Sequence, residues 1–210
     1  MKSFLVSILF VGMSFAQEAY RIPFASKGNS IELTVANTAS ISASQVAIEV
    51  VNMPDWVKFD QKSLSLDQIQ GNGEGLATFS FSVDKFAPVN KDQTLSFTLK
   101  SKSGDTWTKE IKIRVSPPER FELFQNYPNP FNPKTTISYL LATDSRVSLK
   151  VYDILGRDVA TLIDADQQAG YHQESFDAER HASGVYIYRI VYEDQSGKQA
   201  SARKTMMLMK

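Results

Sequence analysis

Cysteine is absent from all 210 residues. That excludes a disulfide framework, a thiolate metal site and a thiol nucleophile together. Histidine is scarce: His172 and His181 are the only two. With no third ligand in view they read as solvated or packing side chains, and no metal or other cofactor is expected. A charge excess is missing too, with 23 Lys+Arg against 23 Asp+Glu. Residues 17–118 carry 11 of each sign, and residues 119–210 carry 11 positive against 12 negative. Neither half has a basic stripe, so nucleic acid is not expected as a partner. Sustained helical periodicity is lacking, and past the N-terminus no apolar run approaches the length of a membrane-spanning helix.

What is present begins with "MKSFLVSILFVGMSFAQEAY". Lys2 supplies a positive start, Phe4 to Val11 an apolar run, and Ser14-Phe15-Ala16 a small-x-small cleavage site. Residues 1–16 therefore read as a secretory signal peptide, cleaved after Ala16.

Period-two alternation recurs through the rest. In the first half Ile31, Leu33 and Val35 alternate with polar neighbours, as do Ala77, Phe79, Phe81 and Val83, then Leu95, Phe97 and Leu99. A run from Trp107 ends in Ile111, Ile113 and Val115; Val46–Val51 and Trp56–Phe59 are further candidates. Turn-rich stretches separate them, and about seven short strands spaced this way read as an Ig-like sandwich over residues 17–117. "VSPPER" (Val115–Arg120) then breaks the pattern with two consecutive prolines, making 118–120 a linker. Alternation resumes in Ile137, Tyr139 and Leu141, in Val147, Leu149 and Val151, and most strongly in "SGVYIYRIVYE". There Tyr186, Tyr188 and Tyr192 share one face. Asp194-Gln195-Ser196-Gly197 is a hairpin turn into the last strand. The expected fold is all-β: two tandem Ig-like antiparallel β-sandwiches after a cleaved signal peptide, the second over 121–210.

Little in the chain points to catalysis. There is no G-x-S-x-G for a nucleophile elbow. Asp164 and Asp166 fall in an expected turn, where acids are common on solvation grounds. "GNGEG" (Gly71–Gly75) lacks the following helix that would cradle a phosphate, and reads as a flexible hairpin loop. Trp56 and Trp107 offer a conceivable sugar-stacking face, although each sits beside or within an alternating run and is expected in the core. The chain is not expected to be an enzyme.

Between Gln125 and Tyr139, "QNYPNPFNPKTTISY" places Pro128, Pro130 and Pro133 among Tyr127, Asn129, Phe131 and Asn132. Each proline lacks a backbone donor and fixes φ, so the segment is neither helix nor central strand. It reads as a lead-in wedged against the sandwich by Tyr127 and Phe131. Further on, Gly156 with Arg157 makes a tight turn, and Gly184 opens the strand that carries Tyr186.

Four pieces in order, "YPNPFNP", "VYDILGRDVATL", "AGYHQESFDAERHASGVYIYRI" and the ending "KTMMLMK", resemble the type A C-terminal sorting domain of the type IX secretion system. The same sandwich is similar to that of flagellar hook-capping FlgD proteins. The resemblance implies Sec-dependent passage to the periplasm of a Gram-negative bacterium. The domain then addresses the protein to an outer-membrane translocon, for delivery to the medium or the cell surface. It further implies cleavage in or near Val115–Glu122, with transfer of the cargo to surface lipopolysaccharide. The terminal strand, with Lys204, Met206 and Lys210, is implied as the part recognised most directly. The first half resembles, at lower specificity, bacterial Ig-like modules of the CARDB kind, which act as spacers or adhesion domains; the match names no ligand, and a carbohydrate or protein ligand of this domain is an expectation beside it. The alternative readings are a surface carbohydrate-binding or adhesion protein, an assembly scaffold, and a small hydrolase.

Overall fold

The computed structural model describes residues 19–210; the signal peptide expected at 1–16 lies outside them. The chain divides between Ser116 and Pro117 into two compact units, and no helix occurs among the described residues.

The first unit contains β1 (Tyr20–Ile22), β2 (Asn29–Ala36), β3 (Ala43–Asn52), β4 (Val57–Phe59), β5 (Ser63–Ile69), β6 (Glu74–Val83), β7 (Asp92–Lys100) and β8 (Thr106–Val115). They form a five-stranded sheet, β1-β8-β7-β3-β5, and a three-stranded sheet, β2-β6-β4. Alternating apolar residues bury one face of each: Leu33, Ile48, Leu95, Phe97 and Leu99 are fully enclosed. Phe59, Phe79 and Phe97 pack at centroid distances of 5.3–6.2 Å, with interplanar angles of 56–89°, within the offset and edge-on geometries aromatic rings prefer.

Three expectations need correcting in this unit. β1 pairs parallel with β8, Tyr20 opposite Ile113, so the sheet is not wholly antiparallel. Gly71–Gly75 is not a hairpin loop, because it joins β5 in one sheet to β6 in the other. Nor is it loosely held. Buried Asn37 donates its main-chain N–H to Gly73 O at 2.8 Å, and its side-chain amide donates to Ile69 O and Gln70 O. A Cβ on Gly71 would lie 2.2 Å from Ser40 O, so glycine is required there by close approach. Finally, Trp56 and Trp107 are half-buried and outside the fully enclosed core. Trp56 lies in the turn before β4, and Trp107 lies on β8 of the other sheet.

The second unit contains β9 (Glu122–Leu123), β10 (Lys134–Leu141), β11 (Ser145–Asp153), β12 (Asp158–Gln167), β13 (Gly170–Asp177), β14 (Gly184–Asp194) and β15 (Gln199–Leu208). A three-stranded sheet, β13-β10-β9, faces a four-stranded one, β12-β11-β14-β15. Ile137, Tyr139, Val147, Leu149, Val151, Tyr188 and Ile190 fill the space between them. The hairpin turn stands as read: Gly197 N–H donates to Asp194 O at 2.9 Å and Asp194 N–H to Lys198 O, with Gly197 at φ +82°. Asp164 and Asp166 are not in a turn. They extend β12 on its outward face, where Arg146 of β11 lies 2.8 Å from Asp164 and 3.9 Å from Asp166; this cross-strand pairing carries the strand past the point where two acids suggested its end.

Candidate functional site

Main-chain register brings the four sequence motifs of the second unit to one end of its sandwich. Asp153, the last residue of β11, lies opposite Tyr186 of β14, and Tyr186 lies opposite Met206 of β15. The 153–157 turn, the start of β14 and the close of β15 therefore share an end. The proline-rich segment joins them there, because Phe131 bridges to Leu208.

Backbone chemistry shows what that segment does. Asn129 Oδ1 accepts the Met207 N–H at 3.0 Å. Phe131 N–H donates to Met207 O at 2.9 Å, and Met209 N–H donates to Phe131 O at 3.0 Å. Gln125 Nε2 donates to Thr205 O at 2.7 Å. The segment thus closes the outer edge of β15 from Thr205 to Met209, a row of main-chain groups that otherwise invites pairing with other chains. Its prolines prevent it from continuing as a strand and presenting a new edge. As the prolines require, it forms no regular strand and pairs only at isolated bridges, Tyr127 with Thr136 and Phe131 with Leu208.

Beneath it lies a buried polar knot. Asn126, only 2% exposed, donates from Nδ2 to Pro128 O and Thr135 Oγ1, at 3.0 and 2.9 Å. Thr135 Oγ1 donates to Pro128 O at 2.8 Å. The Tyr188 hydroxyl accepts from Asn126 N–H and donates to Phe124 O. Burial pushes the Tyr188 phenol up to about 12, partly opposed by the Asn126 bond. Sequence reading passed over Asn126 entirely. An Asn one residue ahead of the first Tyr-Pro step was the available signal.

The expected site residues separate into two kinds. Phe131 (2% exposed), Met206 (1%) and Tyr186 (8%) belong to the core; Phe131 packs on Phe176 with centroids 6.0 Å apart, and Tyr186 donates to Ala182 O at 2.7 Å. Tyr127 does not wedge. It is 82% exposed, because Asn126 takes the inward position and the next residue of an extended chain points out. Its main chain exchanges two 2.9 Å hydrogen bonds with Thr136. Pro128, Pro130 and Asn132 are exposed beside it, whereas Pro133 is half-buried with its O accepting from Ala178 N–H. Lys204 is half-buried opposite Tyr188. Lys210 is exposed and reaches back, its N–H to Ser183 Oγ at 3.1 Å and its Nζ to Glu179 O.

Gly156 has φ +80° and sits in a turn organised by Asp153. That carboxylate accepts from Leu155 N–H, Arg157 N–H and Arg157 Nε at 2.9, 3.0 and 2.6 Å. Those bonds, the Arg157 main-chain one foremost, hold its pKa below the usual carboxylate range. Gly184, at φ +154°, opens β14 in a conformation other residues rarely adopt.

The unit's exposed large apolar side chains are Tyr127, Ile154, Leu155, Val185, Met207 and Met209. All six lie at this one end. Sequence reading singled out only Tyr127 among them; alternation places Met207 opposite in sense to buried Met206, and Ile154-Leu155 at the tip of an acid-capped turn was the other available signal. The two histidines lie on aromatic rings: His172 stacks on Tyr139 at 5.3 Å, and His181 lies 5.8 Å from Phe176. Among the described residues no group of three or more His, Asp or Glu side chains could hold a metal ion.

Comparison with known proteins finds no match among curated proteins. Among solved structures, dimeric latent PorU from Porphyromonas gingivalis is similar at 15% identity and a TM-score of 0.36, covering 98% of this chain and 20% of PorU. The chain thus spans about a fifth of the length of PorU. A protein of unknown function from Porphyromonas gingivalis W83 is similar at 15% identity and a TM-score of 0.33, covering 90% of this chain and 94% of that one. The calcium-binding domain CBD12 of CALX1.1 gives 11% and 0.37, covering 83% and 77%. A family model, the secretion system C-terminal sorting domain, matches residues 125–204. Over residues 125–204, therefore, the second sandwich carries a secretion system C-terminal sorting domain.

Proposed function

We propose that this is a non-catalytic cell-surface or secreted protein whose C-terminal sandwich is read, folded, at its motif-bearing end, and whose N-terminal sandwich is the cargo. The observation that carries the reading is the gathering of six exposed apolar side chains at the end built by the four motifs. Apolar side chains concentrated on one part of a surface mark docking sites, and here the Asp153-capped turn and the closed β15 edge hold them in fixed positions. Recognition of a rigid surface carries little ordering cost.

The N-terminal sandwich acts as a binding or structural module at the surface, with a carbohydrate or protein ligand. A glycan platform would use coplanar exposed aromatics, and half-buried Trp56, in the turn before β4, and Trp107, on β8 of the other sheet, do not supply one. After export, removal of the sorting domain near Val115–Glu122 and transfer to lipopolysaccharide complete the route.

The test removes Met206–Lys210 in an exporting cell. The truncated protein is expected to cross the inner membrane, lose its leader and accumulate in the periplasm. Undiminished surface delivery, with the N-terminal sandwich confirmed folded, overturns the reading.

A further inference from the structure

β15 is the last strand of its sheet, and its outer edge is closed over only half its length. Main-chain N–H and C=O groups alternate sides along a strand. The Thr205 O, the Met207 N–H and O and the Met209 N–H all point away from β14, to Gln125, Asn129 and Phe131. The β14–β15 register runs unbroken from Glu193 opposite Gln199 to Gly184 opposite Leu208. The main-chain groups of Gln199, Ser201 and Arg203 consequently face the same outward side. These three residues are exposed, and no strand pairs with them.

An open edge of this kind is a template for one more strand. Natural sheets block such edges with prolines, bulges, charged side chains or a covering segment, and Thr205–Met209 is covered here. Between Gln199 and Arg203 there is no proline, no bulge and no cover.

Charge indicates what fits. From Gln195 to Lys210 the chain has Lys198, Arg203, Lys204 and Lys210 and no acid. Arg203 stands directly opposite Arg189 of β14, and Arg189 directly opposite Lys150 of β11. Lys150 has Asp158 at 3.6 Å. Arg189 and Arg203 are exposed and make no ion pair among the described residues. Like charges facing each other across a ladder are destabilising, and a carboxylate brought in on a neighbouring strand relieves that repulsion.

We propose that the open edge of β15, Gln199–Arg203, takes up an extended acidic segment of a component of the export machinery as an added antiparallel or parallel strand. The proposal rests on the sorting reading above and goes beyond it, because Gln199–Arg203 lies along β15 away from the motif-bearing end. Main-chain bonds through Ser201 and Arg203 give affinity, and the Arg203–Arg189 pair selects for carboxylates.

The experiment uses the full chain in exporting cells. Ser201→Pro removes the outward donor and fixes φ at that position, and it takes no bond from the β14 ladder, in which the Ser201 N–H has no part. Arg203→Glu reverses the selecting charge. Each is expected to lower surface delivery about tenfold, the worth of one or two lost hydrogen bonds or a comparable charge contact. Ser201→Ala is expected to stay within about twofold of the parent, because the backbone donor remains. A photo-cross-linking residue at position 201 should capture a carboxylate-rich stretch of an export component, and one at Thr161 should not. The Met206–Lys210 truncation runs beside them. If the truncation stops delivery while Ser201→Pro and Arg203→Glu are delivered normally, the sorting reading stands and the edge proposal falls. Loss with Arg203→Glu but not Ser201→Pro points to anion binding by side chains alone, as by a lipopolysaccharide phosphate, and also overturns it. Should Ser201→Pro lower the melting temperature, the identity of the cross-linked segment decides: a stretch without carboxylates rejects the proposal.

Discussion

Asn129 and Met207 lie 78 residues apart, and the Met207 N–H donates to Asn129 Oδ1 at 3.0 Å. A loop amide thus substitutes for a neighbouring strand at the sheet edge. Asn129→Ala is expected to cost about 0.5–1.5 kcal/mol, the net worth of one such bond. The Met207 amide should exchange with solvent markedly faster in that variant, while core amides of β11 keep their protection. Unchanged exchange at Met207 would show that the bond does not form in solution.

Phe131→Ala removes a ring that is 2% exposed and packs on Phe176. A loss of about 3–5 kcal/mol is expected for the second unit, from transfer and cavity terms together. Denaturant unfolding of residues 117–210 measures it, and a change below about 1 kcal/mol contradicts this packing.

Tyr188→Phe deletes the hydroxyl shared by Asn126 N–H and Phe124 O. Leaving both buried groups without it should cost about 1–3 kcal/mol. The same hydroxyl predicts a pH dependence. Its pKa is raised in the folded state to about 12, above the unfolded value of about 10. Its stabilisation is therefore complete below about 10 and is lost as pH rises through about 12. Stability curves of parent and Tyr188→Phe should converge across that window, and parallel curves would refute the assignment.

Ile154→Ser with Leu155→Ser changes two side chains that are 71% and 72% exposed. Stability should stay within about 0.5 kcal/mol, as for surface positions in general. Surface delivery should nevertheless fall, because these side chains belong to the recognition end. Normal delivery of the double variant would remove the turn from that surface.

Separately produced residues 17–116 and 117–210 are each expected to unfold in one cooperative thermal transition, since each has its own enclosed core. A non-cooperative melt of either piece alone would count against independent folding.

Much of the fold was legible because a half-buried strand writes its burial with period two. The alternation at Ile31-Leu33-Val35 identified an inward face without reference to any partner, that of Tyr186, Tyr188 and Tyr192 set one face of β14 without telling which side is buried, and the Asp194–Gly197 turn is local chemistry. The parallel pairing of β1 and the crossing of Gly71–Gly75 between sheets were not legible, since alternation gives a strand's face and leaves its neighbour open. The same limit hid the site. Sequence alone determined that "YPNPFNP" could not be a regular strand, through missing donors and fixed φ angles. Only the tertiary structure decided that it closes the edge of β15, that Phe131 and Met206 are core while Tyr127 and Met207 face solvent, and that motifs scattered over residues 127–210 meet at one end. The reason is that strand pairing joins residues far apart in sequence, and their juxtaposition exists only once the two sheets have closed on a common core.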